Sequence, residues 1–150
     1  MTVAGRETIV LLVEDNPADE CLVREALTSR RNGWVRTESV GDGEEALLFL
    51  SRRGRYGNAP KPDLIMLDLS LPKRGGVEVL GEIRNNPATR RTPVVVLTGS
   101  ATNELIEECY SLGANCVVPK GQDLDDHVHV LELLCDFWLT AVMLPRGRRM

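Results

Sequence analysis

The chain has 150 residues, of which 43% are hydrophobic and 27% charged, and this is typical of one globular domain with a sizeable core. Its formal net charge of −4 argues against a nucleic-acid partner, because such partners require a basic surface. The apolar runs are too short to span a membrane and the N-terminus lacks a signal-peptide pattern, so we expect a cytoplasmic protein with no membrane contact.

The cysteines and histidines show no metal-binding or redox pattern. The 4 cysteines are widely spaced without a Cys-x-x-Cys pair, so we expect reduced and mostly buried thiols. His127 and His129 are two residues apart on a predicted helix and would face different directions. We therefore expect solvated or capping histidines.

The first two predicted units each consist of a strand followed by a helix. Thr8–Val13 is apolar enough for a buried strand, and Asn16-Pro17 then provides a helix cap and a first helical residue. Trp34–Val40 is more polar, as in an edge strand, and Gly41-Asp42-Gly43 leads into the second helix. A polar loop, 52–61, precedes the third unit.

Three further units follow the same pattern. The third strand is the apolar run Leu64–Leu67, which stops at Asp68 and is bounded by turn residues. The remaining predicted elements are a helix from Gly76 to Asn85-Asn86-Pro87, a strand Pro93–Leu97, a helix from about Asn103 to Ser111, a strand Asn115–Pro119 and a last helix from roughly Leu124 to Thr140.

Regular alternation of strands and helices predicts an α/β fold with a parallel sheet and helices on both faces. Five units fit the flavodoxin-like strand order 2-1-3-4-5, which places the weak second strand at an edge. We expect a single domain over 1–150, with its core at about 8–140 and flexible ends at 1–7 and 145–150.

The polar residues that end the strands converge in this fold. Glu14 and Asp15 follow strand 1 and Asp68 ends strand 3, while Thr98 and Lys120 follow strands 4 and 5. Strands 1 and 3 are neighbours at the sheet's switch point, so three carboxylates would share one pocket. Their mutual repulsion favours a bound cation, and the hard oxygen ligands favour Mg²⁺ or Mn²⁺.

This group of residues suits phosphoryl transfer. Asp68 can act as a nucleophile that becomes an aspartyl phosphate. Lys120 and the metal can neutralise charge on the phosphoryl oxygens. The Thr98 hydroxyl can hydrogen-bond the new phosphoryl group and shift a two-state equilibrium.

From about Thr8 to Thr140, the sequence resembles the receiver domains of two-component response regulators. The matching residues are Glu14-Asp15-Asn16, Asp68 with Leu71-Pro72, Gly76, Thr98 and Lys120. The resemblance implies that Asp68 is the phosphoacceptor, that a sensor histidine kinase is the donor, and that the backbone carbonyl of Ser70 joins Glu14, Asp15 and Asp68 around Mg²⁺. The loop 52–61 and the ending 136–145 resemble the single-domain regulators of bacterial phytochromes, which act without an attached output domain.

Two residues depart from the family pattern. Gly121 stands where a proline usually follows the lysine, often beside a cis peptide bond. Val117 stands at the strand 5 position that usually carries a switch aromatic. An aromatic switch coupled to Thr98 is therefore not expected, and either the signal leaves by another surface or the coupling is weak.

Two other functions remain open alternatives. The first is an aspartyl-phosphate phosphatase enzyme, although Ser70 stands where such enzymes often carry a second acid. The second is an adaptor that works without phosphorylation. The last helix is apolar on more than one side, with Phe137, Leu139, Val142 and Met143 around Trp138. We predict a partner face there, with a Trp138 stripe that is only core as the alternative, and a homodimer through the fourth and fifth units.

Overall fold

The computed structural model describes residues 7–29, 34–71 and 75–145. Five strands form its sheet: β1 (Thr8–Val13), β2 (Val35–Val40), β3 (Leu64–Asp68), β4 (Val94–Thr98) and β5 (Cys116–Pro119). The helices are α1 (Pro17–Ser29), α2 (Gly43–Ser51), α3 (Gly76–Asn85), α4 (Asn103–Ser111) and α5 (Leu124–Asp136). The predicted Pro72 and the flexible ends at 1–6 and 146–150 lie outside the described residues.

The sheet confirms the predicted topology. Its order is β2-β1-β3-β4-β5 and every neighbouring pair is parallel. Strands β1, β3 and β4 are almost wholly buried, whereas β2 has an exposed and half-buried centre, as an edge strand should. Strand ends differ from the predictions by about one residue.

Helices cover both faces of the sheet and divide the core into two layers. On one face, α1 and α5 pack against Val10, Leu12 and Met66. On the other, α2, α3 and α4 pack against Leu11 and Val13. Successive residues of β1 thus alternate between the two layers, as the pleat requires.

The loop 52–61 is attached to α2. Gly54–Tyr56 form a short 3-10 turn, and the Tyr56 hydroxyl donates a 2.6 Å hydrogen bond to Glu45. The Tyr56 ring also packs on Phe49, with 5.4 Å between ring centroids. The loop therefore has a defined position beside the second helix.

The end of the chain corrects two expectations. After α5, residues Phe137–Ala141 form a π-helical turn, which continues the predicted last helix. Trp138 is only 8% exposed and packs in the core, so it does not belong to a partner face. His127 is only 7% exposed, so it is not the solvated histidine that the sequence suggested. His127, Leu131 and Trp138 share one helical face because they are spaced by four and seven residues.

The remaining cysteine, histidine and membrane expectations have simple outcomes. None of the four cysteines, all of which lie in the described part of the chain, forms a disulfide bond; Cys109 and Cys135 are buried, whereas Cys21 is exposed. His129 is exposed and faces away from His127, as its spacing predicted. Within the described part of the chain, no helix combines the length and apolar character needed to cross a bilayer.

Candidate functional site

Three carboxylates meet where β1 and β3 end side by side. Glu14 and Asp15 follow Val13, which pairs with the residue immediately before Asp68. Each of the three acids offers an oxygen atom, and these atoms all lie within 4.8 Å of one another. Glu14 and Asp68 are buried, whereas Asp15 is exposed. The sheet topology therefore brings together the acids that the sequence predicted.

The Glu14 carboxyl group shows the electrostatic cost of this crowding. Burial raises its pKa to about 7, and the hydrogen bond and negative charge of Asp68 add to the rise. The hydrogen bond from the Asn16 backbone N–H, at 3.1 Å, and the charge of Lys120 act in the opposite direction. Glu14 is thus ready to lose a proton when a cation enters the cluster.

Asp68 is held by hydrogen bonds to both carboxylate oxygens. Its Oδ1 atom accepts from the Ser70 backbone N–H at 3.0 Å, and its Oδ2 atom accepts from Lys120 Nζ at 3.2 Å. The loop after β3 returns tightly to α3, where a Cβ atom on Gly76 would lie 2.6 Å from Leu69 Cα. Only glycine fits this close approach, which explains the Gly76 of the sequence pattern.

Among the described residues, Lys120 is the cation that reaches the site, and it contacts three acids. Its Nζ atom donates to Asp19 at 2.9 Å, to Asp68 at 3.2 Å and to Glu14 at 3.4 Å. Burial alone would lower the pKa of Lys120, but the hydrogen bond to Asp19 and the three negative charges outweigh it and raise the pKa above its usual value. Lys120 therefore stays protonated and offsets part of the negative charge of the acid cluster.

Asp19 is the site residue that sequence reasoning missed. It is the third residue of α1, and an acid there is usually interpreted as part of the helix cap. The sequence contains a signal only in retrospect, because α1 starts at Pro17, two residues after Asp15. The tertiary structure brings its carboxylate to Lys120.

Thr98 lies at the end of β4, beside the end of β3. Leu97 pairs with Asp68, so Thr98 is one residue further along the same edge of the sheet. Thr98 is buried, and its hydroxyl oxygen accepts the Ser100 backbone N–H at 3.1 Å. Its backbone carbonyl accepts the Lys120 N–H at 2.8 Å. This arrangement leaves the hydroxyl proton available for donation to a ligand.

The two departures from the family pattern have structural counterparts. A Cβ atom on Gly121 would lie 2.2 Å from the backbone N of His127, so glycine permits the close contact with the start of α5. The described peptide bonds, including the one between Lys120 and Gly121, are all trans. The Val117 backbone N–H donates at 3.2 Å to the hydroxyl of Tyr110, so α4 supplies an aromatic residue beside β5.

The donor set of the acid cluster fits Mg²⁺ or Mn²⁺. Its three carboxylates are hard oxygen ligands, and no cysteine or histidine belongs to the group. Such ligands suit these cations, and a small number of carboxylates leaves other coordination positions to further oxygens. The role of the Ser70 carbonyl stays a prediction.

The fold and this site define a response regulator receiver domain. Residues 10–132 match the family described as "Response regulator receiver domain", and the chain belongs to that family. It is accordingly a receiver-domain signalling protein of the two-component class.

The similarity extends to regulators connected with phytochromes. The chain is 42% identical over 139 residues to response regulator Rcp1 of Synechocystis sp., covering 91% of this chain and 92% of that protein. The phosphorylated cyanobacterial phytochrome response regulator RcpA is 41% identical with a TM-score of 0.88, covering 93% of this chain and 99% of that chain. The Mn²⁺-bound form of Rcp1 has a TM-score of 0.89 and 42% identity, covering 92% and 99%. The predicted resemblance to phytochrome regulators is confirmed.

Proposed function

We propose that this protein receives a phosphoryl group from a sensor histidine kinase onto Asp68 in a Mg²⁺-dependent reaction. The observation that carries the proposal is the Asp68 carboxylate, buried among Glu14, Asp15 and Lys120 and held by hydrogen bonds to both of its oxygens. A carboxylate in this position has the fixed orientation that in-line attack on phosphorus requires.

The transfer exchanges one bond to phosphorus for another. The P–N bond of a kinase phosphohistidine breaks while an Asp68 carboxylate oxygen forms a P–O bond, and the imidazole leaves. Lys120 already donates a hydrogen bond to Asp68 and can donate to the oxygens of the transferred group as negative charge develops on them. Bound Mg²⁺ would supply further neutralisation of that charge. Thr98 donates its hydroxyl proton to a phosphoryl oxygen.

A phytochrome is the kinase class that the similarities favour. RcpA, at 41% identity, is described as a phytochrome response regulator and is known in a phosphorylated form. The Mn²⁺-bound form of Rcp1 supports a divalent cation at the acid cluster of this chain. The receiver domain then passes the signal on through its own protein–protein contacts.

A homodimer through the fourth and fifth units belongs to the same proposal. Leu133 and Phe137 are 57% and 55% exposed and lie four residues apart along α5 and its π-helical continuation. Tyr110 of α4 is 48% exposed. Large apolar side chains exposed near one another are typical of association surfaces.

Phosphorylation is tested with the purified protein, Mg²⁺ and acetyl phosphate, followed by the same assay with a phosphorylated phytochrome kinase. Mass spectrometry should show the gain of one phosphoryl group, which Asp68→Asn abolishes and chelation of Mg²⁺ prevents. Asp42→Asn is the matched control, because Asp42 follows β2 at the same sheet edge and asparagine can replace it as the cap of α2. Labelling of Asp68→Asn at the wild-type level would refute the proposal, and continuous turnover of phosphate esters would favour the phosphatase alternative.

A further inference from the structure

Asp19 is a carboxylate that contacts Lys120 from outside the three-acid cluster. Its Oδ2 atom lies 2.9 Å from Lys120 Nζ, which is the shortest of the three contacts that the ammonium makes. The Asp19 side chain is 27% exposed and that of Lys120 is 19% exposed. The pair therefore lies partly shielded from solvent, at the edge of the site.

The local structure of α1 frees Asp19 for this contact. The Asn16 side chain caps the helix by accepting the backbone N–H groups of Ala18 and Asp19. In a capping box, the acid at Asp19 would accept the Asn16 backbone N–H in return. Here that N–H donates to Glu14 instead, at 3.1 Å. The Asp19 carboxylate is released from the cap and turns to Lys120.

The hydrogen-bonding capacity of Lys120 makes this contact consequential. An ammonium group has three N–H donors, and Lys120 directs them to three carboxylates. A phosphoryl group on Asp68 would need one of these donors for its own oxygens. Asp19 is the acceptor that is not part of the acid cluster, so it is the contact that can be given up without disturbing Glu14 or Asp68.

We propose that Asp19 is a positioning residue that retains Lys120 in the unphosphorylated protein and competes with the phosphoryl group for its ammonium. This inference rests on the proposed phosphorylation of Asp68. Asp19 thereby sets how readily the phosphorylated arrangement forms. It also keeps Lys120 partly away from the acid cluster, which favours entry of a divalent cation.

The test compares two ligands in Asp19→Asn, which removes the charge and preserves the shape of the side chain. Beryllofluoride, a mimic of the phosphoryl group, is titrated at saturating Mg²⁺ and followed by fluorine NMR. Loss of the competing carboxylate should tighten its binding about fivefold. Mg²⁺ alone, titrated by calorimetry, should bind about threefold more weakly because Lys120 then moves fully onto Asp68 and Glu14. General damage to the site would weaken both ligands.

Two further variants serve as controls. Glu20→Gln removes the same charge from the neighbouring residue of α1, whose carboxylate pairs with Arg24 at 2.9 Å, and should leave both affinities within about twofold of wild type. Asp19→Glu can still reach Lys120 and should restore near wild-type affinities. Thermal unfolding of each variant confirms that the fold is retained.

The outcomes separate this inference from the proposed function. If the wild type binds beryllofluoride and Asp19→Asn binds it no more tightly, the role of Asp19 is overturned. The proposed phosphorylation of Asp68 still stands in that case. A wild-type protein that binds neither beryllofluoride nor a phosphoryl group overturns both.

Discussion

Lys120 Nζ lies 3.2 Å from Asp68 Oδ2, so the proposed nucleophile and its counter-ion are in contact before any phosphoryl group arrives. The same ammonium group also donates hydrogen bonds to Glu14 and Asp19. Lys120 thus offsets part of the negative charge of the acid cluster when no metal ion is bound, and it must share the cluster with Mg²⁺ when the metal binds.

Lys120→Met should change metal binding and phosphorylation in opposite directions. Mg²⁺ affinity should rise about tenfold, because the competing ammonium is lost from Asp68 and Glu14. The phosphorylation rate with acetyl phosphate at saturating Mg²⁺ should fall about 100-fold, because charge on the transferred group loses a positioned donor. Calorimetry and a quench-flow or mass-spectrometric time course measure the two effects.

The control for this variant is Lys61→Met, which removes a positive charge from an exposed loop residue. It should leave the metal affinity and the rate unchanged. Parallel losses of Mg²⁺ binding and phosphorylation in Lys120→Met would contradict the shared role of the ammonium and indicate a collapsed site.

The pKa of Glu14, raised to about 7, makes Mg²⁺ affinity depend on pH. Below that pH the carboxyl group holds a proton, which the cation must displace, and above it the carboxylate is free. Affinity should therefore increase about tenfold between pH 6 and pH 8. In Glu14→Gln the same titration should be nearly flat and weaker throughout. A wild-type affinity that is constant over this range would contradict the raised pKa.

The fold and most of the site could be predicted because the governing signals are local in sequence. The apolar run Leu64–Leu67 ends abruptly at Asp68, and Thr8–Val13 ends at an acid pair in the same way. Once the strands are parallel and alternate with helices, their carboxyl ends must share one edge. The meeting of Asp68 with Lys120, 52 residues later, follows from that topology.

The errors concern residues whose environment depends on helix orientation. Phe137 and Trp138 are adjacent aromatic residues on a helix that is apolar on several sides, and only packing on α1 and the sheet decides that Trp138 enters the core. His127 follows the core periodicity of Leu131, yet its polar ring suggested solvent. Asp19 was missed because a helix cap explains an acid there equally well.

Gly121 should tolerate neither alanine nor the proline that related receivers usually carry. A Cβ atom at this position would lie 2.2 Å from the backbone N of His127 and 2.6 Å from its Cα, and backbone atoms cannot move aside as a flexible side chain would. Gly121→Ala and Gly121→Pro should each lower the free energy of unfolding by about 2 kcal/mol. Chemical denaturation measures the loss.

A second glycine provides a control in which alanine should raise the free energy of unfolding instead of lowering it. Gly81 lies within α3 and has open space where a Cβ atom would stand, so Gly81→Ala should raise stability by about 0.5–1 kcal/mol. Wild-type stability in Gly121→Ala would show that the turn before α5 is free to shift.

The exposed pair Leu133 and Phe137 gives a direct test of self-association. Phe137 contacts Trp138 edge-on, at 5.6 Å between ring centroids, and still exposes 55% of its surface. Burying a large apolar side chain contributes about 1.5–3 kcal/mol, so removing two from each protomer should abolish a modest dimer. The double variant Leu133→Ser, Phe137→Ser should sediment as a monomer at concentrations where the wild type is dimeric.

The matched control for self-association is Leu48→Ser. Leu48 lies on α2, which packs on the face of the sheet opposite to α5. Leu48 is 37% exposed, and its substitution should leave the proposed dimer intact. Sedimentation velocity is run before and after phosphorylation, because Lys120, which contacts Asp68, lies between β5 and α5 in the chain. A wild type that remains monomeric in both states at high concentration contradicts a dimer through α5. Neither exposed side chain belongs to the core, so the double variant should retain its fold.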